Sequence, residues 1–73
     1  MALVLVSRQG CHLCEQALSL LRELGLEVAL ADVDADVELF AQYDWRVPVV
    51  LLDGRVIAEG RILPDQLRRA LGS

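Results

Sequence analysis

The sequence predicts an α/β fold with the element order βαβ–αββα, a four-stranded mixed sheet and three helices. Apolar runs of strand length alternate along the chain with segments whose apolar residues recur at helical spacing. The first two strand segments flank a helix with very short connections, which is typical of a parallel βαβ unit with a right-handed crossover. Further along, Asp53-Gly54 separates two more strand segments, and this dipeptide is a strong signal for a two-residue hairpin.

The N-terminal half provides the first three elements. A continuous apolar run predicts a buried strand over about 2–7, and helical spacing predicts the first helix over about 11–24. Gly25 ends this helix at the C′ position, and a second strand follows over 27–32. The apolar face of the helix consists of Leu13, Ala17, Leu20, Leu21 and Leu24.

A second, more polar helix is predicted over 34–43. Asp34 and Asp36 suit its N-terminal end, because that end carries the positive pole of the helix dipole. We expect Tyr43 and Trp45 to pack beside the following strand, with substrate contact as the alternative. The inner side of the helix consists of Val37, Phe40 and Ala41.

The C-terminal part predicts a hairpin and a last helix. The paired strands cover 49–52 and 56–59. Pro48 has no amide donor and therefore fits the start of the third strand, while Gly60 ends the fourth. The last helix begins around Pro64, a residue favoured in a first helical turn. Its apolar face consists of Leu63, Leu67, Ala70 and Leu71.

Length and composition indicate one domain over residues 1–73, and 55% hydrophobic residues are enough for a filled core. Two cysteines are too few for a secreted disulfide framework. The N-terminus lacks the basic start and longer apolar core of a signal peptide, and no run approaches the roughly 18 apolar residues of a membrane span. We therefore expect a cytoplasmic monomer that does not bind a membrane.

The net charge of the chain and the distribution of its charged residues limit the kinds of partner that it can bind. The formal net charge of −4 disfavours nucleic-acid binding, which needs a basic face. Residues 27–44 contain six acids and no base, and we expect them to form a solvated face away from the cysteines. All seven cations are arginines. Arg8, Arg46 and Arg61 either serve as ordinary solvated residues or gather near the cysteines to receive an anionic partner.

The motif that carries chemistry is Cys11-His12-Leu13-Cys14, at the junction between the first strand and the first helix. The free amides and the dipole at a helix N-terminus favour an anion, so Cys11 should lose its proton readily. Cysteines three apart on a helix have Cβ atoms roughly 5–6 Å apart, against about 3.8 Å in a disulfide. A small adjustment closes the bond, and this geometry predicts a dithiol that cycles.

Two alternatives to a cycling dithiol remain open. Zinc prefers four ligands, and this part of the chain offers only Cys11, Cys14 and His12 as soft candidates. We therefore expect no metal held by one chain, but a metal or iron–sulfur cluster carried between two chains is an alternative function. A non-enzymatic adaptor protein is a second alternative function. His12 either tunes Cys11 by its charge when protonated or is an exposed residue without a chemical task.

These residues together resemble a known family. The whole chain is similar to a small glutaredoxin of the thioredoxin-fold superfamily, in particular to the short bacterial glutaredoxin-like proteins of unassigned partner. The resemblance depends on Cys11-X-X-Cys14 after the first strand and on Arg8 three residues earlier, where glutaredoxins often have a basic residue. It also depends on Val47-Pro48 before the third strand and on Gly60 after the fourth.

The resemblance implies a thioredoxin-like fold with the first strand central and a cis Pro48 beside the cysteines. It also implies a thiol–disulfide oxidoreductase in which Cys11 is the exposed nucleophile and Cys14 the buried resolving thiol. The substrate would be a disulfide-containing protein or a small thiol compound, no cofactor would be bound, and glutathione or a dithiol protein would be the thiol donor. The candidate substrate-binding residues are Arg8, His12, Arg46, Val47, Pro48, Gly60 and Arg61.

The sequence departs from the family pattern at three points. His12 replaces the usual proline after the first cysteine, and Glu59 replaces the first glycine of a glycine pair. The segment 61–65 does not reproduce the acidic pair that receives the amino group of glutathione. We therefore expect the dithiol chemistry to be retained and glutathione to be a weak donor.

Overall fold

The computed structural model describes residues 2–72, so Met1 and Ser73, which belong to the predicted domain, lie outside the described residues. The predicted order of strands and helices is confirmed within this range. The elements are β1 (Leu3–Ser7), α1 (His12–Glu23), β2 (Ala29–Asp32), α2 (Val37–Tyr43), β3 (Val49–Leu52), β4 (Arg55–Glu59) and α3 (Pro64–Leu71).

The strands form one mixed sheet in the order β2-β1-β3-β4. β1 pairs with β2 in parallel and with β3 antiparallel, so the prediction that the first strand is central is confirmed. β3 and β4 are antiparallel. This topology places the end of β1, the start of β3 and the end of β4 at one end of the sheet. The segments that carry Cys11, Pro48 and Gly60 therefore lie at that same end, which we call the redox end.

The core lies on both faces of the sheet because successive side chains of a strand point to opposite faces. On one face, Leu5 and Val50 belong to a cluster with residues of α1 and α3. On the other face, Val6 and Val49 belong to a cluster with Tyr43 of α2. The fully buried side chains of the two clusters are Leu5, Leu21, Val50 and Leu67 on the first face, and Val6, Val33 and Val49 on the second.

Two glycine-containing turns form as predicted. At the end of α1, Gly25 has a φ of 73°, and the amide of Leu26 donates to the carbonyl of Leu21 at 3.1 Å. This is the Schellman arrangement that a glycine at C′ allows. In the hairpin, Asp53 and Gly54 have φ values of 51° and 85°, as a type I′ turn requires.

The second helix is shorter than predicted and buries a different face. The side chain of Asp36 accepts hydrogen bonds from the amides of Glu38 and Leu39, so the helix begins at Val37. The predicted inner side was wrong, because Val37 is 87% exposed and Phe40 and Ala41 are also exposed. Leu39 and Tyr43, four residues apart, face the sheet instead.

The first helix also differs from its predicted face at one position. Ala17 and Leu21 are buried as expected, but Leu13 is 43% exposed. Cys14 is buried in the first turn and contributes to the inner face there. Within residues 2–72 no helix has the length and apolar character needed to cross a lipid bilayer.

Candidate redox site

The two cysteines are joined by a disulfide at the start of α1. Their Cα atoms are 5.2 Å apart, within the usual range for a bonded pair. Cys11 is the N-cap residue, with extended backbone at φ −87° and ψ 109°, and Cys14 lies in the first helical turn. Because the helix begins immediately after Cys11, this residue has the extended backbone of an N-cap, while Cys14 has the helical backbone of the first turn.

The two sulfur atoms have unequal environments. The amide of Cys14 donates to Cys11 Sγ at 3.2 Å, so the Cys11 sulfur occupies the acceptor position of a helix cap. Cys11 is half-buried, whereas Cys14 is only 3% exposed. An anionic sulfur at Cys11 would therefore gain a hydrogen bond and the helix dipole, and it is the more accessible of the two.

The second part of the redox end is the segment before β3. The Val47–Pro48 peptide bond is cis, as the family resemblance implies, and Pro48 is buried. The carbonyl of Pro48 accepts a hydrogen bond of 2.8 Å from the amide of Gly60. Gly60 has a φ of 67°, a conformation that favours glycine. This hydrogen bond joins the segment before β3 to the segment after β4.

Arg8 joins three segments around the disulfide. Its guanidinium donates to both carboxylate oxygens of Asp34 at 2.8 Å, and to the backbone carbonyl of Asp44 at 3.2 Å and its carboxylate. Its own backbone carbonyl accepts the amide of Cys11 at 3.3 Å. Two residues of the acidic stretch therefore turn toward the redox end, and the prediction that the whole stretch faces away from the cysteines was wrong.

Arg46 forms the second arginine–carboxylate contact. Its guanidinium donates to the carboxylate oxygens of Glu59 at 2.7 and 3.2 Å and lies 5.2 Å from the centre of the Tyr43 ring. Glu59 occupies a position where the resemblance to glutaredoxins leads us to expect a glycine, and a glycine could not form this contact. It ties the segment before Pro48 to the end of β4.

The hydrogen bonds in these pairs shift the pKa values of their members. The pKa of Asp34 is lowered by its hydrogen bonds from Arg8, and the pKa of Glu59 is lowered in the same way by Arg46. The pKa of Arg8 is raised by Asp34 first and then by Asp44, and that of Arg46 is raised by Glu59. Both pairs are therefore charged at neutral pH.

The three candidate arginines differ in whether their guanidinium groups are already paired with carboxylates. Arg8 and Arg46 already face carboxylates of the chain. Arg61 is exposed in the segment after Gly60, and no carboxylate of residues 2–72 lies within ion-pair distance of it. Of these three cations, Arg61 is the one that this part of the chain leaves for an external anion.

His12, Tyr43 and Trp45 differ in how far they are exposed. His12 is exposed, and its Nε2 atom lies 3.1 Å from the side-chain nitrogen of Gln16 on the next turn of α1. Tyr43 is buried beside β3, which confirms its predicted packing. Trp45 is 90% exposed, so the prediction that it packs beside β3 was wrong. The local sequence carries no signal for this exposure.

A shallow cavity of about 360 Å³ lies on the Cys14 side of the disulfide. Cys14 borders this cavity, although the residue is almost inaccessible to solvent. Among residues 2–72, no group of three or more His, Cys, Asp or Glu side chains is arranged to hold a metal ion. The cavity is lined by Leu5, Ser7, Arg8, Gln9, Gly10, Cys14, Glu15, Leu18, Leu30 and Asp32.

Residues 2–72 match the profile of the glutaredoxin-like domain family, DUF836. This chain belongs to the glutaredoxin-like family. An uncharacterized protein of Mycobacterium tuberculosis is 37% identical to it over an alignment that covers 94% of this chain and 86% of the relative. The family assignment thus extends over nearly the whole glutaredoxin-like chain, including the Cys11-X-X-Cys14 pair.

Solved structures agree with this fold. A structural genomics target protein from X. campestris is 33% identical, with a TM-score of 0.83 over 97% of this chain and 96% of that one. The buckwheat glutaredoxin in its glutathione complex has a TM-score of 0.65 at 22% identity, over 96% of this chain and 69% of that one. The second likeness shows that this glutaredoxin-like chain has the thioredoxin-like fold of glutaredoxins.

Proposed function

We propose that this glutaredoxin-like protein is a thiol–disulfide oxidoreductase in which Cys11 attacks the substrate and Cys14 resolves the intermediate. The observation that carries the proposal is the contact between the Cys14 amide and Cys11 Sγ at 3.2 Å. A donor in that position is placed to stabilise negative charge on Cys11 Sγ once the disulfide is reduced. The unequal exposure of the two sulfurs supports the same order of events.

The reaction proceeds by two exchanges at sulfur. The Cys11 thiolate attacks one sulfur of a substrate disulfide, so a bond forms between Cys11 and the substrate while the substrate disulfide breaks. The sulfur that leaves takes up a proton. Cys14 then loses its proton and attacks Cys11 Sγ, which forms the Cys11–Cys14 disulfide and releases the second substrate thiol. Two electrons have passed from the dithiol to the substrate.

The oxidised protein returns to the dithiol by the reverse chemistry with a thiol donor. Two glutathione molecules, which leave as glutathione disulfide, or one dithiol protein supply the electrons. No bound cofactor is needed, because both electrons are carried by the two sulfurs. A reducing compartment such as the cytoplasm suits this cycle, since it keeps the donor reduced.

The surrounding residues divide into two groups under this proposal. Val47, Pro48, Gly60 and Arg61 border the path of a substrate at the redox end, with His12 at the exposed start of α1. Arg8 and Arg46 act mainly through the carboxylates they already hold. A disulfide-containing protein or a small disulfide would meet the first group, and the second group would keep the three segments in register.

Single-cysteine variants test the assignment of the two thiols. In a single turnover with hydroxyethyl disulfide, Cys11→Ser should abolish the attack, whereas Cys14→Ser should retain it and accumulate a mixed disulfide seen by mass spectrometry. Equal loss from both substitutions, or attack that survives without Cys11, would reject the assignment. The purified protein should also be assayed for iron and zinc, since a stoichiometric metal would favour a carrier between chains.

A further inference from the structure

Trp45 is a large apolar side chain that the fold leaves in water. It is the chain's only tryptophan, and it is 90% exposed. Tryptophan buries about 150–250 Å² when it is covered, and it is enriched where proteins contact their partners. Trp45 belongs to neither of the two core clusters of the sheet, so a polar residue at this position would not weaken the core.

The residues on both sides of Trp45 are held in place. Asp44 is fixed by Arg8, which donates to its backbone carbonyl at 3.2 Å and also to its carboxylate. Arg46 donates its backbone amide to the carbonyl of Tyr43 at 2.9 Å, and its guanidinium is bound to Glu59. Trp45 is therefore presented on a restrained turn. Such preorganisation lowers the entropic cost of binding.

The position and the surrounding charges indicate what Trp45 could contact. It lies three residues before Pro48, in the loop that leads into β3 at the redox end. The arginines that anchor its neighbours are paired with carboxylates, so the turn presents an aromatic surface and little free charge. This surface suits an uncharged apolar side chain better than an anion.

We propose that Trp45 is a specificity-determining residue that receives an apolar side chain next to the half-cystine of a protein disulfide substrate. This inference rests on the proposed oxidoreductase function, because the same substrate must place its disulfide at Cys11. Under this inference, the protein distinguishes between protein disulfides by the residue next to the cysteine of the substrate. Small disulfides, which lack that residue, gain nothing from Trp45.

The test compares two short peptide disulfides that differ only in a leucine or a serine beside the cysteine, together with hydroxyethyl disulfide. We expect Trp45→Ala to raise KM for the leucine peptide about tenfold, which corresponds to about 1.4 kcal/mol. Its kcat, and both constants for hydroxyethyl disulfide, should stay near wild type. Trp45→Phe should restore most of the affinity. The matched control is Val56→Ala, because Val56 is also an exposed apolar residue but lies at the hairpin end of β4.

The results separate this inference from the proposed function. Equal KM values for the leucine and serine peptides, or a Trp45→Ala loss shared by hydroxyethyl disulfide, would overturn the role of Trp45. Failure of the wild type on hydroxyethyl disulfide would overturn the proposed function. Binding is read independently in Cys11→Ser, where the leucine peptide should shift the fluorescence of the single tryptophan to shorter wavelength. Unchanged emission there would also overturn the inference.

Discussion

Arg8 and Asp34 form a two-point ion pair in which Nε and Nη2 of the arginine each lie 2.8 Å from a carboxylate oxygen. The same guanidinium reaches Asp44, and the backbone carbonyl of Arg8 accepts the amide of Cys11. One residue thus connects the dithiol segment with the segments on both sides of α2. We infer that Arg8 is a positioning residue for the redox site.

If Arg8 acts by positioning, its loss should affect neutral and anionic substrates alike. We expect Arg8→Met to lower kcat/KM about tenfold for both hydroxyethyl disulfide and glutathione disulfide, because small displacements of reacting groups cost at least this much. Asp34→Asn should produce a smaller loss of the same kind, and Arg8→Lys should recover part of the activity. Arg55→Met in the hairpin is the control. A loss confined to glutathione disulfide would instead identify Arg8 as an anion receptor.

Acid should weaken the two arginine–carboxylate contacts. The pKa values of Asp34 and Glu59 are lowered in the folded protein, so each group binds fewer protons there than in the unfolded chain. The resulting stability is fully present above their ordinary pKa of about 4 and is lost as pH falls through the lowered folded value. Urea unfolding from pH 6 down to pH 3 should therefore show a declining free energy of unfolding.

The variants Asp34→Asn and Glu59→Gln should each flatten that decline, by a small amount because both pairs are exposed. Glu23→Gln, at the end of α1, is the control, because Glu23 forms none of the ion pairs found among residues 2–72. A slope that is identical in wild type and both variants would show that the contacts do not stabilise the fold.

Glutathione should be a weak donor for this protein. Arg8 and Arg46 are already paired with carboxylates. Residues 61–65 do not reproduce the acidic pair expected for the glutathione amino group, because Arg61 adds positive charge there and Asp65 already contacts Arg68. An ammonium that loses a charge-assisted hydrogen bond loses about 1.5–3 kcal/mol, or one to two powers of ten in affinity. Reduction of a mixed disulfide with glutathione and with reduced thioredoxin as alternative donors should favour thioredoxin markedly. Saturation at low glutathione concentration, with a strong dependence on Arg8, would contradict this expectation.

Two leucines of α1 should differ sharply in their effect on stability. Leu21 is fully buried, and its replacement by alanine should cost about 2–5 kcal/mol in the free energy of unfolding. Leu13 is 43% exposed, so Leu13→Ala should cost less than about 1 kcal/mol. Chemical denaturation of the two variants measures the difference. Equal losses would mean that α1 packs on the sheet with a different face.

The local features of the fold could be predicted from the sequence because local rules determine them. Gly25 ends α1, Asp53-Gly54 makes the hairpin turn, and Cys11 directly precedes the helix. The inner face of α2 could not be predicted in this way. Its start depends on the capping side chain of Asp36, and a short helix with scattered apolar residues offers two faces that packing must choose between.

The surroundings of the dithiol were the least predictable part, because they depend on contacts between distant residues. Arg8 and Asp44 are 36 residues apart, and Arg46 and Glu59 are 13 apart. A charge pattern shows that such partners exist but does not show which of them meet. The exposure of Trp45 was also outside the reach of local sequence rules, because burial depends on which other segments pack against a residue.

The pH dependence of alkylation in the reduced protein shows directly whether Cys11 is the activated nucleophile. Mass spectrometry should locate the first alkyl group on Cys11, and the midpoint of its rate should lie below the roughly 8.5 of a free thiol, because the helix N-terminus stabilises the thiolate. His12→Ala should raise the midpoint only modestly, since the helix terminus remains. A midpoint at or above the free-thiol value, or first alkylation at Cys14, would contradict the assignment of Cys11 as the activated nucleophile.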